Sequence, residues 1–296
     1  MRSIRKRCVD SIRSLFEEDG FMTKVLDYAP TIPHVMEFTR IRVLESTFAL
    51  VRKGISNVID YNESHSDFHL SGSQVENYML KHVIFATQWG IGGSMNLQTR
   101  TNFGNKLCDF TSVAFPPLTQ YPLIDYEIRI EDQEWHLWKK KVPLIEIEPS
   151  KVTEADVVIT TVDTTRHQEV LCSWISEHRP FLLCGPPGSG KTMTLMATLK
   201  NLPDFEMIFI NFSSSTTPSL ILKTFEHYCE VKKTPTGLIL RPHNPSKWLV
   251  VFCDEINLPD TDKYGTQTVI TFLRQITEQN GYWRSHDKQW VNLERI

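Results

Sequence analysis

The run Gly185-Pro186-Pro187-Gly188-Ser189-Gly190-Lys191-Thr192 constrains this chain more than any other stretch. The pattern G-x-x-x-x-G-K-[ST] uses glycines so that backbone N–H groups can turn inward around phosphate oxygens. A lysine then reaches the β- and γ-phosphates, and a hydroxyl ligates Mg²⁺. The flanks read as the setting such a loop requires. Residues 181–184 (Phe-Leu-Leu-Cys) are expected to form a short buried strand, and residues 191–200 a helix whose N-terminal dipole faces the anion.

A second element belongs with the first. Residues 248–253 (Trp-Leu-Val-Val-Phe-Cys) form a continuous apolar run typical of a parallel strand buried on both faces, and Asp254-Glu255 follows at its end. Ligands of open α/β sheets sit outside the carboxyl ends of the strands. Asp254 is therefore expected to hold the magnesium shell, and Glu255 to orient or deprotonate an attacking water. Residues 207–211 form another apolar segment, and Asn211 ends it. Together these features point to a nucleoside triphosphate, Mg²⁺ and hydrolysis.

Composition narrows the class further. The 296 residues carry a net charge of -3, with 32 Lys+Arg against 35 Asp+Glu, so no bulk positive field draws in a phosphate backbone and nucleic acid is a disfavoured partner. The longest apolar runs fall short of a membrane span, so no membrane is expected as a partner. Cys8, Cys108, Cys172, Cys184, Cys229 and Cys253 lack C-x-x-C spacing and read as buried thiols of a reducing compartment.

Along the chain, residues 1–112 read as helical. Ile4, Cys8 and Ile12 share a face; residues 35–51 present Met36, Ile41, Leu44, Phe48 and Val51 as a core stripe. Ser73 and Glu76 read as a capping box ahead of Val75, Met79, Val83, Ala86 and Trp89, with Gly90 ending the helix. Residues 113–155 change texture, with prolines around short alternating segments. They read as a connector anchored by Trp135 and Trp138, with the lysines 139–141 on a solvated face. From residue 156 strands and helices alternate, as in an α/β parallel sheet; residues 231–247 and 282–296 read as hairpin inserts, and Asn280-Gly281 as a helix C-cap.

The absence of an Asn-Lys-x-Asp run argues against a GTPase, whereas Asp254-Glu255 is the pair expected of AAA+ ATPases. Residues 183–194, 211–213 (Asn-Phe-Ser), 252–259 (Phe-Cys-Asp-Glu-Ile-Asn-Leu-Pro), 262–267 (Asp-Lys-Tyr-Gly-Thr-Gln) and 293–296 extend the likeness. They resemble the third AAA+ module of the cytoplasmic dynein heavy-chain family. Upstream, residues 36–40 and 124–126 with Trp135 and Trp138 resemble the end of the second module and its connector.

The resemblance implies a P-loop NTPase sheet flanked by helices over 156–296, preceded by a helical lid subdomain over 1–112 and a connector over 113–155. It also implies a minus-end-directed microtubule motor, ATP or ADP with Mg²⁺ as cofactors, and a module whose nucleotide state gates the main hydrolysis site elsewhere in the ring. Implied partners are adjacent AAA+ modules, the intermediate, light intermediate and light chains, microtubules, and a second heavy chain in a homodimer, all in the cytoplasm on the cytoskeleton. Val158 and Ile159 fall in the family's adenine-side segment; Thr160 stands where the family has proline. Asn211 matches a polar position that holds the catalytic Glu between active and inactive rotamers, and reads equally well as a strand-terminal cap of the next turn. A scaffold that binds nucleotide without turnover is the competing reading. In the family's strand order a fourth strand separates the first from the third, and it is expected to begin beyond Ile296.

Overall fold

A computed structural model describes residues 2–142 and 160–296, which fall into two compact units, Met1–Thr198 and Leu199–Ile296. Each has a core of its own.

The first unit opens with α1 (Arg2–Ile12) and α2 (Phe21–Tyr28), followed by the long α3 (Arg40–Ser64), α4 (Gly72–Gly90) and α5 (Leu97–Leu107). In α1, Cys8 and Ile12 are buried on the expected face. The third helix starts later than its apolar pattern predicts. Residue 35 donates its N–H to Ser94 O at 2.6 Å and the His34 ring bonds Ser94 Oγ at 2.7 Å, so this stretch stays extended until Thr39. The core stripe shifts with it: Val43, Leu50, Val51 and Val58 are buried, while Ile41 and Phe48 are exposed.

Helix α4 keeps its expected stripe, with Val75, Met79, Val83, Ala86 and Trp89 all buried. Its capping box lies two residues earlier than the sequence motif indicates. Ser71 Oγ accepts from Gln74 N at 3.3 Å, and Gln74 Oε1 accepts from Ser71 N at 2.9 Å, because a glutamine at the third helical position closes the box as a glutamate does. At the far end, Arg100 donates to the carbonyls of Gly92, Gly93 and Met95 and lies over the Trp89 ring. It thereby ties down the short turn that follows the helix, whose Gly92 O also accepts from Met95 N at 3.0 Å.

In the connector, β1 (Tyr126–Ile128) and β2 (Trp135–Leu137) pair antiparallel. Trp138 is buried and Trp135 Nε1 donates to Ala114 O at 3.0 Å, so both act as anchors. Buried Lys81 of α4 reaches Gln133 O and Glu134 Oε2, each at 2.8 Å. Lys141 is not merely solvated. It pairs with Glu127 at 3.3 Å and Glu169 at 2.7 Å.

Glu169 lies on α6 (Val162–Ser176), a helix that the strand-and-helix reading of the sequence did not contain. Thr161 caps it reciprocally with Thr164, and it packs on α3. Arg166 to Asp125 at 2.6 Å, Arg52 to Glu177 at 3.0 Å and Trp174 Nε1 to Ser46 O at 3.4 Å hold α6 to α3 and to the segment before β1. Residues 181–184 then run to the phosphate loop without forming the expected strand, and α7 (Lys191–Lys200) follows. No strand among the described residues pairs with them, and an apolar run without a ladder remains loop; Leu182 and Cys184 are exposed. Cys184 is thus not a core thiol.

The second unit contains β3 (Phe205–Asn211), α8 (Pro218–Tyr228), β4 (Cys229–Thr234), β5 (Gly237–Pro242), β6 (Trp248–Asp254), α9 (Thr268–Gln279), β7 (Gly281–Trp283) and β8 (Trp290–Leu293). Strands β3 and β6 pair in parallel. The two hairpins form as expected, and they join through parallel β5 and β8 into one four-stranded sheet of order β4-β5-β8-β7. Asn280 ends α9 in the left-handed conformation at φ 51. No helix of the described residues is long and apolar enough to cross a membrane.

Two close approaches between α3 and α4 require glycine. A Cβ on Gly54 would lie 2.2 Å from His82 Cδ2, and one on Gly90 would lie 2.4 Å from Thr47 Oγ1. His82 is locked by Leu50 O at 2.9 Å and by stacking on Tyr78. Gly54→Ala should therefore destabilise the first unit by about 1–3 kcal/mol, read as a lower midpoint in urea unfolding.

Burial also lowers the His82 pKa from 6.5 to about 4 in the folded chain. The unfolded chain takes up the proton first, so stability present above pH 6.5 is lost as pH falls from there towards 4. At roughly 1.4 kcal/mol per unit the whole loss is on the order of 3 kcal/mol. His167, lowered by burial and by the charges of Arg166 and Arg100, shifts the same way. In urea titrations across this range, His82→Gln should flatten the slope of stability against pH and leave the share due to His167.

Candidate functional site

The phosphate loop takes its shape from two glycines. Gly188 at φ 74 and Gly190 at φ 76 lie in the left-handed region, and a Cβ at either would meet nothing within 4 Å. Conformation, not crowding, selects glycine at both. Ser189 N bonds Pro186 O at 3.3 Å, and Gly190 O accepts from Thr194 N at 2.9 Å and Thr194 Oγ1 at 2.8 Å, which fuses the loop to the first turn of α7. That turn carries no acidic residue to oppose an anion. Lys191 Nζ donates to Gly185 O at 2.9 Å and Pro186 O at 3.0 Å, so the ammonium lies across the loop's own backbone. Gly185 through Ser189 are exposed, and Gly190, Lys191 and Thr192 are half-buried.

The second unit holds the carboxylates. In the β3–β6 ladder Asn211 stands opposite Asp254, so the two strands end flush. Phe212 N continues the ladder by bonding Asp254 O at 3.1 Å. Asp254 is half-buried, whereas Asn211 and Glu255 are exposed. The residue after the strand turns sharply. Glu255 has φ 55, a left-handed backbone that costs a residue other than glycine roughly 1 kcal/mol or more, and its N–H donates to Asp254 Oδ1 at 3.0 Å. Leu258 N then bonds Glu255 O at 3.0 Å, and Asp260 N bonds Ser214 O at 3.2 Å, stitching the loop after β6 to the loop after β3.

The structure thus gathers Gly185, Pro186, Pro187, Gly188, Ser189, Gly190, Lys191 and Thr192 in one loop at a helix start, and Asn211, Asp254 and Glu255 at one pair of strand ends. Val158 and Ile159 lie outside the described residues. The sequence did not reveal that Ser214, Asp262 and Gln267 close the loops beyond these strand ends, through bonds to Asp260, to Tyr264 and Thr266, and to Pro259 respectively. Their only signal is a polar residue placed where a strand-end loop must close. Burial raises the thiols of Cys229 and Cys253 to about 11, which leaves them as packing groups.

The chemistry of the donor sets suits a nucleotide. N–H groups and a lysine in a glycine-turned loop donate to phosphate oxygens, and the Thr192 hydroxyl in one unit and the Asp254 carboxylate in the other are each, taken singly, hard oxygen donors of the kind Mg²⁺ takes. Among the described residues no group of three or more His, Cys, Asp or Glu could hold a metal by itself.

Known proteins with this pattern can be named. The profile of the P-loop containing dynein motor region matches residues 146–296, and that of the dynein heavy chain AAA lid domain matches residues 12–140. A cytoplasmic dynein heavy chain of Paramecium tetraurelia is 58% identical over 299 aligned residues, covering 99% of this chain and 6% of that protein. The cytoplasmic dynein heavy chain of Dictyostelium discoideum is 54% identical over 294 residues, and that of Caenorhabditis elegans 42% over 294, each again covering 99% of this chain and 6% of the relative. The chain therefore spans about 6% of the length of these relatives. With a phosphate loop in one matched region and a helical lid in the other, the chain belongs to the dynein heavy chain family, in its AAA+ P-loop motor region and AAA lid.

Proposed function

We propose that this chain is an ATP-binding and ATP-hydrolysing AAA+ module of a minus-end-directed microtubule motor, and that its nucleotide state regulates the motor ring. Residues 1–112 act as the lid of a preceding module, 113–155 as a connector, and 156–296 as the large nucleotide-binding subdomain. The observation that carries the reading is the flush parallel ending of β3 and β6, which puts Asp254 and Glu255 at strand carboxyl ends.

The roles follow from the chemistry of the groups. Backbone N–H groups of residues 185–190 and the Lys191 ammonium hold the phosphates of ATP or ADP, while Val158 and Ile159 line the base. Thr192 and Asp254 hold Mg²⁺, which when bound draws charge from the phosphate oxygens. Glu255 takes the proton of the attacking water, and Asn211 sets its rotamer. The module works against adjacent AAA+ modules of a homodimeric heavy chain. Intermediate, light intermediate and light chains and microtubules engage regions outside these residues, in the cytoplasm on the cytoskeleton.

Lys191→Ala should weaken ATP binding by about tenfold to a hundredfold, the worth of a hydrogen bond to a charged group, while thermal unfolding stays near wild type. Nucleotide titration with a fluorescent analogue checks it; unchanged affinity would remove Lys191 from the site.

Two adjacent carboxylates should separate in their effects. Glu255→Gln should keep Mg-ATP affinity and trap the triphosphate, with turnover at this module lowered by about a hundredfold or more. Asp254→Ala should instead weaken the Mg²⁺-dependent part of binding. Quantifying bound ATP and ADP after rapid separation distinguishes them. Turnover unchanged in Glu255→Gln would support a scaffold that binds nucleotide without hydrolysing it.

A further inference from the structure

We propose that Gln267 is a positioning residue for Glu255, acting through the loop that joins β6 to α9; this rests on the reading that Glu255 handles the attacking water. The loop after Glu255 is closed at two levels. At its tip Asp262 Oδ1 accepts from Tyr264 N at 2.9 Å and Thr266 N at 2.8 Å, and Asp262 N donates to Thr266 O at 2.9 Å. Gly265, at φ 79, completes that small ring. These bonds reach no nearer to Glu255 than Asp262. At its neck the Gln267 Nε2 amide donates to Pro259 O, and among the described residues this is the side-chain hydrogen bond that spans from the start of α9 to the segment leaving Glu255.

The far side of that clamp is firm. Gln267 O accepts from Thr271 N at 3.0 Å and Thr271 Oγ1 at 2.9 Å, so the residue is fixed to the first turn of α9. The near side is short. Pro259 is buried, and Leu258 bonds back to Glu255 O at 3.0 Å, so a displacement of Pro259 is passed to Glu255 within one turn. Glu255 holds a left-handed backbone at φ 55, which persists only while its surroundings over-determine it. Without the clamp, residue 255 relaxes towards ordinary φ values and its carboxylate swings away from the direction the strand end gives it.

The amide is kept for its donor. Gln267 Oε1 is buried with no partner among the described residues, an arrangement that stability alone disfavours. Turning the amide over would set Oε1 against Pro259 O, two acceptors face to face, so the orientation is fixed. A side chain that retains an unpaired buried acceptor while its amide N–H closes a loop neck is placed for position more than for packing.

The test uses the full-length heavy chain with its other phosphate loops disabled, so that turnover reports this module. Gln267→Met keeps the length and removes both polar ends. It should lower single-turnover hydrolysis by about tenfold, the scale of a modest misplacement of a reacting group, with Mg-ATP affinity within about twofold of wild type. Its melting temperature should not fall, because the unpaired acceptor leaves with the donor. Gln267→Lys should restore most of the turnover, since an ammonium can donate to Pro259 O. Wild-type turnover in Gln267→Met, a loss that follows affinity or melting temperature, or a lysine variant no better than methionine would each overturn the proposal. Glu255→Gln measured alongside separates the failures: if it too turns over as wild type, the reading of Glu255 falls and this proposal with it. If it is inactive while Gln267→Met is normal, this proposal alone falls.

Discussion

The parallel ladder between β3 and β6 is the constraint on which the second unit depends. It runs from Phe205 opposite Trp248 to Asn211 opposite Asp254, and the backbone bond from Phe212 N to Asp254 O extends it past the strand ends. A slip of one residue would turn every side chain of one strand to the other face, exposing the buried Ile208 and Ile210. The hydrophobic effect therefore fixes the register, and the register fixes which polar residues meet at the end. The chemistry of Asn211 and Asp254 is set by packing several residues away from them.

The first unit solves a different problem, that of holding irregular segments against helices. Lys81 and Arg166 are buried cations and Arg100 is a half-buried one, and each is directed at carbonyls or carboxylates of a segment that has little regular structure of its own. Desolvation lowers the Arg100 pKa to about 10, which still leaves it charged near neutrality, and three carbonyl acceptors offset the cost. Such pairs add little net stability over an apolar core but penalise other arrangements, because removing a partner leaves a buried charge. They select one docking of α6 and of the segment around β1 and β2 on the helices α3 to α5.

What could be read from the sequence was whatever local chemistry decides. The phosphate loop, the α4 stripe, both hairpins and the Asn280 cap depend on residues within a turn or two of one another, and all are found where the pattern puts them. The elements that differed depend on distant partners. Residues 181–184 have the composition of a strand, but a strand exists only through its neighbour. The start of α3 was moved by bonds to Ser94, 60 residues from His34 in the chain. The parallel pairing of β5 with β8 leaves no mark in either hairpin, and α6 is polar from Asp163 to Glu169, its apolar residues after Val162 being crowded into the last turns at Val170, Leu171, Cys172, Trp174 and Ile175, so no stripe along its length announces it. At the site, Asp254 and Glu255 could be read as a pair, but the left-handed turn between strand and loop could not, since Glu255 is not a residue that asks for it.

That turn shows how the two groups of functional residues differ in kind. The phosphate loop is shaped by residues that adopt its conformation at no cost, glycines with open space where a side chain would be. Its geometry is intrinsic, and substitutions far from it should matter little to its shape. Glu255 adopts its conformation against its own preference, and the loop beyond it supplies the difference through Leu258, Asp260 and the neck at Pro259. The strand-end carboxylates are therefore the group sensitive to remote change: a perturbation of α9 or of the loop after β3 reaches Glu255 by releasing strain. In a module proposed to regulate a ring, the group proposed to handle water is the one whose position the surrounding fold can alter, while the loop proposed to hold the phosphates keeps its shape by local rules alone.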